Sequence, residues 1–199
     1  KQASGLGFNA FSFNTTKAPF DDVRVRQAFT AAIDKKAILR AVFFGTGSVA
    51  YGAIPPSMGW VHDKDFIPHK SDANVARKLL ADAGKTKHVP VTITVTNSPA
   101  QLRTAKVLQA QANQAGFKVE IKQIDATSLI TVLRQKDFDL CMSPWSGRTD
   151  PDGNIYNYFT KSGPNNFMGY QSDKVTDLLE KARSAPAEKD RAKFYREAE

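Results

Sequence analysis

The chain of 199 residues contains a single cysteine, Cys141. One thiol excludes an intrachain disulfide. Its place inside the apolar run Phe138-Asp139-Leu140-Cys141-Met142 makes a buried free thiol the expected state. Such cysteine usage fits the cytosol, and it fits a periplasmic protein without a disulfide framework equally well. No apolar run approaches the roughly 18–20 residues that a membrane-spanning helix needs. Lys1-Gln2-Ala3-Ser4 is not followed by the apolar stretch of a secretory leader. No initiator methionine is present, and Tyr195-Arg196-Glu197-Ala198-Glu199 reads as the middle of a helix. The chain is therefore expected to be a piece of something longer.

Catalytic and metal signatures are equally scarce. Of the three histidines, His62, His69 and His88, none stands in a ligand spacing with another histidine, a cysteine or a carboxylate. There is no Gly-x-Ser-x-Gly elbow. Gly45-Thr46-Gly47 follows a helical pattern instead of a strand, so it lacks the geometry that cradles phosphate. The net charge is +8, from 28 basic and 20 acidic residues, yet no run of five basic residues occurs. A nucleic-acid footprint needs a concentrated basic stripe. These absences point to no enzyme, no metal, no cofactor and no nucleic-acid partner.

What is present is an ordinary globular composition, 41% hydrophobic and 24% charged, long enough for one core and read as one domain. Gly5–Asn14 reads as a strand apolar on both faces, hence central. Asp21 or Asp22 caps a helix reaching Asp34, with Val23, Phe29 and Ile33 inward. A second helix, Lys35–Phe44, closes at Gly45. Thr46–Ser71 lacks periodicity and is too long for a simple connection, so it should pack on its own contacts. Asp72 caps Ala73–Ala83, with Val75, Leu79 and Leu80 inward. Val89–Thr96 and Phe117–Ile124 alternate with period two and flank a helix that starts at Asn97-Ser98-Pro99 and runs to about Gln114. Thr127 or Ser128 opens a short helix before the strand Phe138–Met142. Strand, helix and strand in that order imply parallel pairing. Ile155–Phe159, Asp173–Ser184 and a segment from Ala187 complete the helices.

The stretch Phe138–Asn154 organises the rest. A buried strand runs out into Ser143-Pro144-Trp145-Ser146-Gly147-Arg148-Thr149-Asp150-Pro151-Asp152-Gly153, where proline and glycine break regular pairing. Asp-Pro-Asp-Gly is also a common surface turn. Ligands in open α/β sheets sit at the carboxyl ends of strands. Trp145, Ser146, Gly147, Arg148 and Asp150 follow one such end. Arg103 follows another, near the start of the helix after Pro99, where amides attract anions. If those strands are neighbours, both arginines look to one edge. The plainer reading leaves Arg103 as a solvated helix residue and Trp145 in the core. The competing chemical reading is a hydrolase that uses Asp150 and Asp152 as an acid pair.

Certain residues carry a resemblance. Phe13-Asn14, Pro19-Phe20-Asp21-Asp22-Val23-Arg24-Val25-Arg26-Gln27-Ala28-Phe29 and Ala32-Ile33-Asp34-Lys35 resemble the signature of extracytoplasmic solute-binding proteins of the peptide/nickel/opine class (family 5), which serve ABC importers. The likeness continues through Gly45, Ile54-Pro55-Pro56, Ala76-Arg77-Lys78-Leu79-Leu80, Ala83-Gly84 and Asp137-Phe138-Asp139-Leu140. It extends over Trp145, Asp150-Pro151-Asp152, Asn166, Gly169-Tyr170 and Asp177-Leu178-Leu179. The resemblance implies an α/β lobe of the periplasmic-binding-protein type II fold, three-layered, with a mixed, mostly parallel sheet flanked by helices. Residues 1–199 would form one such lobe, the carboxyl-terminal one, of a two-lobed protein that closes on its ligand. Implied partners are a peptide or related small solute, the amino-terminal lobe and a membrane permease. The implied location is periplasmic, or extracytoplasmic with a lipoprotein anchor. Peptide binders of the family carry an acid after the tryptophan for the ligand amine, and an arginine near Arg103 for the ligand carboxylate. Here the loop is shorter and Arg148 stands at about the place of the acid, which suggests an anionic ligand group.

Overall fold

The structure is a computed structural model that describes residues 5–66 and 71–199. Lys1–Ser4, His69 and part of the irregular segment Thr46–Ser71 lie outside the described residues. Among the described residues, four strands and eight helices follow in the order β1 (Phe8–Phe13), α1 (Val23–Ala32), α2 (Lys35–Phe43), α3 (Ala73–Asp82), β2 (Val89–Thr96), α4 (Pro99–Gln114), β3 (Phe117–Ile124), α5 (Leu129–Gln135), β4 (Leu140–Trp145), α6 (Pro151–Phe159), α7 (Asp173–Ser184) and α8 (Glu188–Ala198), with a 3-10 turn before α5. The chain divides into two compact units. A sheet unit comprises Phe11–Val49 and His69–Ser143, and a helical unit comprises Lys1–Ala10, Ala50–Pro68 and Pro144–Glu199.

The sheet has the order β1-β4-β2-β3. β2 pairs in parallel with β3, from Val89 opposite Phe117 to Thr96 opposite Ile124. It pairs in parallel with β4 through Ile93 opposite Leu140 and Thr94 opposite Cys141. Period-two alternation explains the burial: Val89, Val91, Ile93 and Val95 enter the core from β2. Phe117 and Val119 enter it from β3, while Lys118 and Glu120 stay exposed. β1 ends the strand order and is only partly buried, so the expectation of a central strand is corrected. Its phenylalanines Phe11 and Phe13 pack on the core, whereas Ser12 approaches the Ser143 hydroxyl at 3.5 Å.

Caps set the helix phases. Asp22 opens α1 by accepting the Arg24 amide hydrogen, and Asp34 and Asp72 do the same for α2 and α3. Side-chain hydrogen bonding to Arg24 lowers the Asp22 carboxyl to about 2. α1 buries Val25, Ala28 and Phe29, so Val23, expected inward, is 50% exposed. α3 buries Ala76 and Leu80, and Val75 turns out at 45% exposure. The irregular segment after α2 does pack on its own contacts: Ile54, Met58 and Val61 join Ile155, Leu179 and Tyr195 in the core of the helical unit.

An aromatic cluster centres the sheet unit. Phe29 meets Phe13, Phe20 and Phe117 edge-on at centroid distances of 5.8, 5.7 and 5.1 Å. Phe29→Ala would remove all three contacts and should destabilise the protein by about 3–5 kcal/mol, read as a lower urea midpoint. Cys141 is a buried free thiol, pushed up to about 12 by desolvation. It should resist a disulfide reagent at pH 8 in the native protein and react only on unfolding. Rapid native reaction would contradict that burial.

Candidate functional site

β4 continues to Trp145, three residues beyond the expected end at Met142. Pro144 is tolerated in that last turn of strand because it is exposed. After Ser146–Thr149, Asp150 serves as N-cap of α6, accepting the Asp152 amide hydrogen at 2.9 Å, with Pro151 in the first helical position. The expected Asp-Pro-Asp-Gly turn is therefore the first turn of a helix that begins at Pro151, ahead of the expected Ile155.

One residue that sequence reasoning missed holds the loop. Asn154 is 1% exposed, and its amide is fully engaged. Its Oδ1 accepts hydrogen bonds from Trp145 Nε1 at 2.9 Å and from the Arg148 backbone N at 2.8 Å. Its Nδ2 donates to the Arg148 carbonyl at 3.2 Å and to Met58 Sδ at 3.7 Å. The available signal was an asparagine inside an apolar helical pattern, where its side chain competes with the backbone and needs another task.

Trp145 is half-buried and packs edge-on against Tyr158 at 5.1 Å. Desolvation raises the Tyr158 phenol above its ordinary value. The Arg148 guanidinium lies 4.6 Å from the Trp145 ring centre. Its Nη1 donates to Ser146 Oγ at 3.0 Å and to the Gly147 carbonyl at 2.9 Å. Among the described residues, no carboxylate pairs with Arg148. The loop thus presents an exposed cation flattened on an aromatic face, an arrangement suited to an anionic group with an apolar neighbour.

The two aspartates are differently employed. Arg191 holds Asp150 at 2.8 and 2.9 Å, and Arg183 holds Asp152 at 3.0 and 2.7 Å. Arg183 also stacks on Tyr156 at 3.4 Å. Each carboxylate thus anchors the start of α6 to α7 or α8, and neither faces a partner acid, so the hydrolase reading finds no support. Asp150 braces the loop through Arg191 while its side chain remains half exposed. Arg103 belongs to the sheet unit, where it is the fifth residue of α4 and exposed. It lies in the second turn, beyond the amides of the N-terminus, and Ser98 makes no side-chain cap there. His62 Nδ1 bonds the Ile54 carbonyl at 2.9 Å, a packing role in the irregular segment.

Gly147 adopts φ +76°, and an added Cβ would meet the Leu6 carbonyl oxygen at 2.2 Å. Both strain and a backbone clash therefore oppose any side chain. Gly147→Ala should cost at least about 1–3 kcal/mol and blue- or red-shift Trp145 emission; unchanged stability and emission would show that this segment is not tightly held.

A family model of bacterial extracellular solute-binding proteins, family 5 (middle), matches residues 1–167, and the chain belongs to that family. It is 29% identical over 206 residues to heme-binding protein A of Haemophilus influenzae, covering 100% of this chain and 38% of the relative. It is 32% identical over 199 residues to probable di/tripeptide-binding protein 5 of Pseudomonas aeruginosa, covering 94% and 37%. Among solved structures, the periplasmic binding protein DppA of Helicobacter pylori, in complex with the peptide STSA, superposes with a TM-score of 0.91 at 26% identity, over 98% of this chain and 39% of that one. The likeness agrees with the expected type II binding-protein fold. The chain spans 37–38% of the length of these curated relatives.

Proposed function

We propose that the chain is the ligand-binding lobe of a longer, two-lobed solute-binding protein that delivers a peptide or related small solute to an ABC importer. Family membership supports the class, and the names of the relatives support a peptide or comparably sized cargo. The observation that carries the ligand chemistry is Arg148, an exposed cation on the Trp145 face with no acid partner among the described residues. In this reading Arg148 and Arg103 each contact an anionic part of the ligand, while Trp145, Ser146 and Gly147 shape its surroundings. Asp150 acts indirectly, by fixing the loop.

The physics of import favours such a site. Cargo must be released, so binding is non-covalent and no turnover is expected. Closure of two lobes desolvates the ligand's charges, and a guanidinium supplies geometrically fixed partners for them. The permease then reads the closed form. This function places the protein outside the cytoplasm, in the periplasm or on a lipid anchor.

The test uses the full-length protein and calorimetric titration with a panel of di- and tripeptides and their C-terminal amides. Arg148→Ala and Arg103→Ala should each weaken binding of the free acids by about 10- to 100-fold, with smaller effects on the amides. Unchanged affinity in both variants would remove the anionic-contact reading.

A further inference from the structure

We propose that Asn154 and Gly153, neighbours in the first turns of α6, are positioning residues that fix the direction in which Arg148 offers its charge. The inference rests on the reading of Arg148 as the anion contact. Two independent constraints meet at this arginine. The first acts on its backbone: Asn154 accepts from the Arg148 N and donates to the Arg148 carbonyl, so a single buried amide holds both ends of that residue. The same Oδ1 accepts the Trp145 indole hydrogen, which ties the aromatic platform to the same atom. The second acts on the side chain. A Cβ at Gly153 would lie 2.7 Å from Arg148 Cγ and 2.8 Å from its Cβ, so the arginine stem passes directly over the bare backbone of α6.

These constraints make the site stiff where a long side chain is ordinarily loose. A free arginine loses considerable rotamer entropy when it grips a ligand. Here the stem is confined by the helix, the guanidinium by the indole and by Ser146 Oγ, and the backbone by Asn154. Confinement before binding reduces the ordering cost at the moment of binding. Asn154 and Gly153 touch no ligand in this account; they act through Arg148 and Trp145.

The experiment reads the geometry without needing the natural ligand. In the full-length protein, Trp145 is made the sole tryptophan by Trp60→Phe, with any tryptophan outside residues 1–199 replaced likewise. Its fluorescence is quenched in parallel by iodide, an anion, and by neutral acrylamide at low ionic strength. A guanidinium on the ring face enriches iodide, so Arg148→Gln should lower the iodide-to-acrylamide ratio by about twofold. Asn154→Ser, whose hydroxyl is too short to reach both the Trp145 indole hydrogen and the Arg148 amide hydrogen, should lower it comparably. So should Gly153→Ala, which crowds the stem at Cβ and Cγ while removing no hydrogen-bonding atom of Asn154. Loss of stability alone would not change this ratio in the folded protein. Should Asn154→Ser fail to fold, Gly153→Ala still decides whether the stem's path matters. A ratio that falls for Arg148→Gln but stays at the parental value in both positioning variants overturns the proposal and leaves the anion contact standing. A fall in only one of them overturns the role of the other residue. No change with Arg148→Gln overturns the anion contact itself.

Discussion

The helical unit's exposed loop depends on one buried amide finding all of its partners. A buried polar group without partners costs more than a paired one contributes, so Asn154 is safe at 1% exposure only because four hydrogen bonds converge on it. Removing any partner leaves an orphan, and that asymmetry is what locks the loop. The sheet unit uses the same device. Asn14, also 1% exposed, donates to the Lys136 and Phe138 carbonyls at 2.9 and 3.0 Å and accepts from the Thr16 amide at 3.1 Å. In both units an asparagine, with two donors and an acceptor on a short stem, satisfies backbone that has left the ladder.

Elements governed by simple periodicity were legible in the amino-acid sequence. β2, α4 and β3 fall where alternation and the Ser98-Pro99 start place them, because nothing in the fold competes with those signals. The parallel pairing of β2 and β3 follows from the sixteen-residue helix between them. Legibility failed where phase or context decides. Val23 and Val75 look like core residues by type, but the buried stripes run through Val25, Ala28 and Phe29 of α1 and through Ala76 and Leu80 of α3. β1 is apolar on both faces, yet it ends the strand order with one face partly open.

The loop after β4 was half legible. The residue types, an aromatic and an arginine past a strand end, pointed to binding without any knowledge of contacts. The Asp-Pro-Asp-Gly run was ambiguous between turn and helix start, since Asp and Pro suit either one. What resolves it is long-range: Arg191 and Arg183 reach back from α8 and α7 to the two carboxylates. Such partners lie dozens of residues away and leave no local pattern. Asn154 was missed for a different reason: apart from the Met58 sulfur its partners, the Trp145 indole and the Arg148 backbone, are near in sequence, but only the folded loop brings them to one amide.

Charge placement then separates structure from recognition within the helical unit. Arg183 and Arg191 are each committed to a carboxylate, and Arg196 is committed to the Val61 and Trp60 carbonyls at 2.9 and 3.0 Å. These arginines fasten elements of the unit to one another. Among the described residues, the Arg148 guanidinium meets a hydroxyl, its neighbour's carbonyl and an aromatic face. None of those neutralises a formal charge, and a cation–π contact at an exposed position contributes only about 0.5–1 kcal/mol. The chain therefore invests in holding Arg148 still without cancelling it. Arg183 and Arg191 are neutralised by the carboxylates they hold, whereas Arg148 is exposed and meets no carboxylate among the described residues; that contrast is what the proposed anion contact rests on.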